Sequence, residues 1–114
     1  MPYATPLTEP ELVEALASLP AWTRDGDVIR LTVELRDFRE AIALVNAVAD
    51  ASEAANHHPD MHITGYRRVS LELTTHAAKA LTWRDIDLAG TIEAILVRFA
   101  PDVNQGGGGG GSGG

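Results

Sequence analysis

Cysteine is absent from this chain. That excludes a disulfide framework and a thiolate metal site, so stability has to come from a packed core. Cations are scarce: nine lysines and arginines stand against sixteen aspartates and glutamates, for a formal net charge of −7. Binding to phosphate backbones needs clustered cations, so no direct nucleic-acid binding is expected. A small neutral molecule or a protein partner fits this charge better. Long apolar runs are missing as well, and no basic segment followed by an apolar run opens the sequence. The expectation is no membrane contact and a cytoplasmic location.

What is present divides into two parts. From Gly106 to Gly114 the chain is glycine with a single serine, Ser112. Such a run behaves as flexible coil that buries nothing, so residues 105–114 read as a Gly-rich tail of the engineered-linker kind. Residues 1–104 remain as one small domain with a single core. With 45% hydrophobic and 22% charged residues, the composition is that of a soluble globular protein.

Thr8-Glu9-Pro10-Glu11 is a helix start, with Thr8 as cap and Glu11 reaching back. Leu12, Leu16 and Leu19 then follow at helical spacing up to Pro20. Trp22–Arg24 and Val28–Leu35 flank Asp25-Gly26, a tight-turn signal that predicts a hairpin. Ile29, Leu31, Val33 and Leu35 point one way and Arg30, Thr32 and Glu34 the other. Asp37 and Glu40 form a second capping box. The helix they open carries Phe38, Ala41, Ile42, Val45, Val48, Ala49 and Ser52 on one face, and it has to end by His58 because Pro59 follows. Met61–Thr64 is a short strand and Gly65 a bend. From Arg68 to His76 the pattern alternates strictly, which sets His76 on the polar face with Ser70, Glu72 and Thr74. Thr82 and Asp85 cap a last helix with Ile86, Ala89, Ile92, Leu96 and Phe99 on one side. The fold class is therefore α+β: a four-stranded antiparallel sheet with three helices on one face, in the order α-β-β-α-β-β-α.

Three of the four histidines gather at element ends. His57 and His58 leave the longest helix, His76 closes a strand, and Asp85 lies just inside the next helix. Imidazoles trade protons near neutral pH, so two of them suit elimination or hydration of a small polar molecule. The C-terminal end of a helix dipole favours a cationic ring there. Glu53, one turn before His57, is spaced to hydrogen-bond one of the two rings and fix its tautomer. Plainer readings stand beside these: Asp85 as a capping carboxylate, Glu53 as an exposed helix residue, His62 as a surface strand residue. Three histidines and a carboxylate also suit zinc. Adjacent residues seldom share an ion, however, and the helical i, i+4 histidine pair is missing. Metal therefore ranks below acid–base chemistry.

The run Glu53-x-x-Asn56-His57-His58-Pro59-Asp60, then Tyr66, Thr75-His76 and Leu81-Thr82-x-x-Asp85, resembles the pterin-4a-carbinolamine dehydratases. The likeness extends from about Leu19 to Phe99. It implies loss of water from a 4a-hydroxytetrahydropterin to give quinonoid dihydropterin, as in tetrahydrobiopterin recycling. It further implies no metal or organic cofactor, and a homodimer or homotetramer. Within it, His57 and His76 are the expected general acid/base pair, His58 is a catalytic-site residue that positions substrate, and Glu53 and Asp85 are the substrate-binding carboxylates. Relatives of this kind also serve as non-catalytic protein-binding modules, as dimerisation cofactors or assembly chaperones, which is the alternative function. Three departures fall at the substrate rim: Lys79-Ala80 where the family often has Gly-Gly, Met61 in place of an aromatic residue, and one extra residue between Pro59 and Tyr66. They bear on affinity and on pterin side-chain preference.

Overall fold

The first helix, α1 (Glu9–Ala17), opens on the expected capping box. The Glu11 backbone N–H donates to Thr8 Oγ1 at 3.3 Å, and Glu11 Oε1 accepts from the Thr8 N–H at 2.8 Å. Leu12 and Ala15 are its buried residues. The structure is a computed structural model that describes residues 5–99 and 101–104. The glycine-rich segment from residue 105 onward lies outside the described residues, as does the start of the chain.

Strands β1 (Thr23–Asp25) and β2 (Val28–Glu34) form the hairpin. The turn between them is Gly26-Asp27, with Gly26 at φ +63 in the first central position, where only glycine sits without strain. Helix α2 (Phe38–Ala55) follows, then β3 (Asp60–Thr64) and β4 (Arg68–Leu73). Helix α3 spans Trp83–Leu96.

The sheet runs β1-β2-β4-β3, every pairing antiparallel. A four-stranded antiparallel sheet with three helices, in the order α-β-β-α-β-β-α, is the architecture expected from the sequence; the spatial order of the strands was not part of that expectation. One short strand was not anticipated: β5 (Asp102–Asn104), which pairs with Thr32, Val33 and Glu34 of β2. One edge of β2 is taken by β4 along its length, so β1 and β5 share the other. A three-residue segment directly after Pro101 carries too little pattern to read as a strand.

Period-two alternation gives the sheet two unlike faces. Ile29, Leu31, Val33, Val69, Leu71 and Leu73 are buried together with Leu44, Val48, Leu88 and Ile92 from the helices. Each such side chain contributes roughly 1.5–3 kcal/mol on leaving water. The opposite face carries polar pairs in register. Arg30 meets Glu72 at 2.7 Å, Thr32 meets Ser70 at 3.2 Å, and Arg68 meets Glu34 at 2.6 Å.

Three local expectations change. On α2 the buried line is Ala41, Leu44, Val48 and Ser52, while Phe38 and Ile42 are exposed. They lie to one side of that line, and the helix turns them outward. The second capping box forms by half. The Glu40 N–H donates to Asp37 Oδ1 at 2.8 Å, but the Glu40 carboxylate turns to Arg36 instead of the cap's own N–H. Finally, β4 stops at Leu73, and only Thr75 continues it through a bridge to Ala80.

Candidate functional site

Helix α2 ends at a left-handed residue, Asn56, with φ +51. Asparagine tolerates this conformation better than most residues. The reversed turn lets the N–H of Asn56 donate to Glu53 O at 3.2 Å and that of His57 to Ser52 O at 3.1 Å. It also separates the two rings. His57 goes inward: its Nε2 lies 2.6 Å from Asp85 Oδ1, and its side chain is only 10% exposed. His58 goes outward: its Nε2 lies 2.6 Å from Glu53 Oε2, with the two side chains 56% and 77% exposed.

Of the two rings, Glu53 therefore holds His58 and not His57. The i, i+4 rule presumes continuous helix, and Asn56 breaks it. Asp85 holds the other ring, His57. It is fully buried, so it addresses the site through His57. Its Oδ2 accepts from the Thr82 N–H at 2.9 Å and the Thr75 hydroxyl at 2.7 Å. It is thus both cap and ring holder: Thr82 and Asp85 form the capping box of α3. Arg84 ties the helix ends together through a 3.4 Å bond from its guanidinium to Asn56 O.

His76 stands just past β4, exposed, on the side of Thr74. Beside it a cavity of about 90 Å³ is lined by Val28, His58, Asp60, Glu72, Thr74 and His76. The cavity sits where the β1–β2 turn, the start of β3 and the end of β4 converge. A 2.6 Å bond from Thr74 Oγ1 to Asp27 O fastens the strand end to that turn. The structure therefore brings His58 and His76 onto one cleft, with His57 beside it, held from behind by the buried Asp85. His62 lies out on β3 and does not line the cleft.

Sequence reasoning missed Asp60 and Glu72 as cleft residues and Thr75 and Thr82 as partners of Asp85. Glu72 and Thr74 share the face of His76 by period two, which was a usable signal. The register that sets Asp60 opposite Glu72 was not. Among the described residues, no group of three or more His, Asp or Glu is arranged to hold a metal ion. Larger hollows occur elsewhere, one of about 510 Å³ beside Phe38 and Ile42 and one of about 340 Å³ beside Arg36 and Phe99. Neither contains a histidine, so size does not locate the chemistry here.

A helix-backed antiparallel sheet with histidines at one strand end defines a small α+β domain of the pterin dehydratase type. The family profile described as "Pterin 4 alpha carbinolamine dehydratase" matches residues 5–95. The chain belongs to that family. A protein of Koribacter versatilis (strain Ellin345) named "Putative pterin-4-alpha-carbinolamine dehydratase" is 51% identical over 89 residues, covering 78% of this chain and 94% of the relative. One of the same name from Nocardia farcinica (strain IFM 10152) is 49% identical over 89 residues, covering 78% and 93%. Among solved structures, a transcriptional coactivator/pterin dehydratase from Brucella melitensis superposes with a TM-score of 0.75 at 32% identity, covering 80% of this chain and 98% of that one. A pterin dehydratase-like protein described as a RuBisCO assembly factor in the alpha-carboxysome shares the fold, with a TM-score of 0.54 at 17% identity, covering 65% and 84%. Among the described residues no helix is long and apolar enough to cross a membrane.

Proposed function

We propose that this protein is a 4a-hydroxytetrahydrobiopterin dehydratase, a hydro-lyase that removes water from the pterin 4a-carbinolamine during tetrahydrobiopterin recycling. The observation that carries the reading is the arrangement of rings: His58 and His76 on one cleft, and His57 held by a buried carboxylate beside it. The reaction protonates the 4a-hydroxyl, breaks the C4a–O bond and removes the N5 proton, leaving a C4a=N5 double bond and water. Nothing is oxidised or reduced, so no redox cofactor is required.

Among the described residues none hydrogen-bonds the His76 ring, so it is free to donate a proton to the departing hydroxyl. His57, oriented by Asp85, is the base for the N5 proton. His58, steadied by Glu53, forms the wall against which the flat heterocycle rests. General acid–base catalysis of this kind supplies about 10²–10⁴-fold. The cavity is smaller than the roughly 300 Å³ or more typical of ligand pockets, so part of the substrate stays at the rim. We assign the protein to the cytoplasm as a homodimer or homotetramer.

The test is the decay of chemically generated carbinolamine. His57→Ala and His76→Ala each lose most of the acceleration, and His58→Ala chiefly raises KM. An acceleration that survives the double substitution of His57 and His76 defeats the assignment. The second reading, a non-catalytic binding module, draws on the descriptions of the Brucella melitensis and carboxysome proteins. It predicts a stable protein complex and no effect on carbinolamine decay. Retention of all three histidines favours the enzyme.

A further inference from the structure

We propose that Thr75 is a positioning residue: it orders a chain of buried protons that ends on Asp85 and thereby decides which nitrogen of His57 is open to the substrate. The directions of the bonds follow from a proton count. A carboxylate only accepts, so the Thr75 hydroxyl spends its single proton on Asp85 Oδ2, at 2.7 Å. The 2.8 Å contact between Thr75 Oγ1 and Thr82 Oγ1 must then have Thr82 as donor. Thr82 Oγ1 in turn accepts from the Arg84 N–H at 3.2 Å. With the Thr82 N–H also on Oδ2, at 2.9 Å, that oxygen has two donors. The other oxygen, Oδ1, faces His57 Nε2 at 2.6 Å. Each bond runs in the one direction that satisfies all of them, and Nε2 is left to donate.

Nδ1 is therefore the bare nitrogen of the neutral ring. No hydrogen bond from the described residues is made to it, and it is not sealed in. Among the described residues the buried side-chain nitrogen or oxygen without a partner is Nε1 of Trp22. Thr75, Thr82 and Asp85 are exposed by 3%, 0% and 0%, which leaves no solvent to replace a missing donor. Without the Thr75 hydroxyl, Oδ2 keeps one donor, the carboxylate can rotate, and its hold on Nε2 loosens. The proton can then move to Nδ1, which removes the base. The same strand end serves both sides of the site, since Thr75 points inward to Asp85 and the next residue, His76, points outward to the cleft.

The kinetic consequence rests on the dehydratase reading; the ring chemistry does not. Nitrogen-15 NMR of the labelled full chain, at a pH where the ring is neutral, is expected to show a protonated Nε2 and a bare Nδ1 for His57. Thr75→Val, which keeps the shape and removes the hydroxyl, is expected to mix the two tautomers and to lower kcat about tenfold with KM little changed. Thr75→Ser is expected to restore both. A wild-type ring protonated on Nδ1 overturns the proposal even if Thr75→Val does not fold. A ring pattern that Thr75→Val leaves unchanged also overturns it, whatever happens to the rate. If the wild type fails to speed carbinolamine decay, the dehydratase reading falls, and the ring pattern still decides the role of Thr75.

Discussion

Two adjacent histidines turn opposite ways here, one inward and one outward, past a left-handed residue, Asn56. The sequence showed that His57, His58, His76 and Asp85 belong together, since each stands at the end of a patterned element. It did not show who holds whom. Glu53 pairs with His58, and Asp85 pairs with His57, because side-chain direction past a helix end depends on a single backbone angle. The strongest consequence at this scale concerns Asp85. Asp85→Ala strands the Thr75 hydroxyl and the Thr82 N–H, both closed to water, and releases the His57 ring. At about 1–3 kcal/mol for each unsatisfied buried group, the loss should be about 3 kcal/mol or more, read from the urea midpoint. Lys79 offers the opposite case. It has φ +52, at a position where the resembled family often has glycine. A left-handed conformation costs a side-chain-bearing residue roughly 1–2 kcal/mol, part of which glycine returns in chain entropy. Lys79→Gly is expected to raise the melting temperature slightly.

The elements themselves were largely legible, because capping residues and hydrophobic periodicity agreed. Thr8 with Glu11 and Thr82 with Asp85 both close as boxes. The departures have separate local causes. Glu40 is drawn to Arg36, and Thr75 leaves the strand ladder for a bridge to Ala80. Helix α3 retains an avoidable weakness in Gly90: a methyl group placed there meets no atom within 4 Å. Gly90→Ala should therefore stabilise the chain by roughly 0.5–1 kcal/mol, measured by thermal unfolding. Helix α1 is fastened to β1 by Arg24 and Glu9 at 2.6 Å. The hydrogen bond and charge of Arg24 hold the Glu9 carboxyl below its usual range. Its contribution is thus present above the ordinary carboxylate range and fades as pH falls through the lowered value. Both groups are solvated, so the effect on total stability is small. It should show as lower amide protection, relative to the intrinsic exchange rate, in α1 at low pH.

At the scale of the molecule, the antiparallel sheet and its single buried face follow from alternation and were readable; the strand order, which sets β2 beside β4, was not. The location of the cleft was not, because it depends on the register that sets β3 beside β4 and on the turn that Thr74 secures. The core has little slack. Leu71 is completely buried on the central strand β4, so Leu71→Ala should cost about 2–5 kcal/mol by chemical denaturation. Strand β3 is the outer strand of the sheet, and an open edge is a surface for strand pairing. The proposed homodimer or homotetramer is checked by light scattering, which should return a mass of two or four chains.

The short strand β5 has a mechanical consequence. It joins the sheet through three residue pairs, at the end of β2 away from the β1 turn. A pulling force applied through Asn104 would load those few bonds in succession and peel β5 away before it reached α3. The β1-β2-β4-β3 ladder, and the histidines anchored to it, would then bear tension only after that strand had come off. A cargo attached at this end would be insulated from the site by a small sacrificial joint.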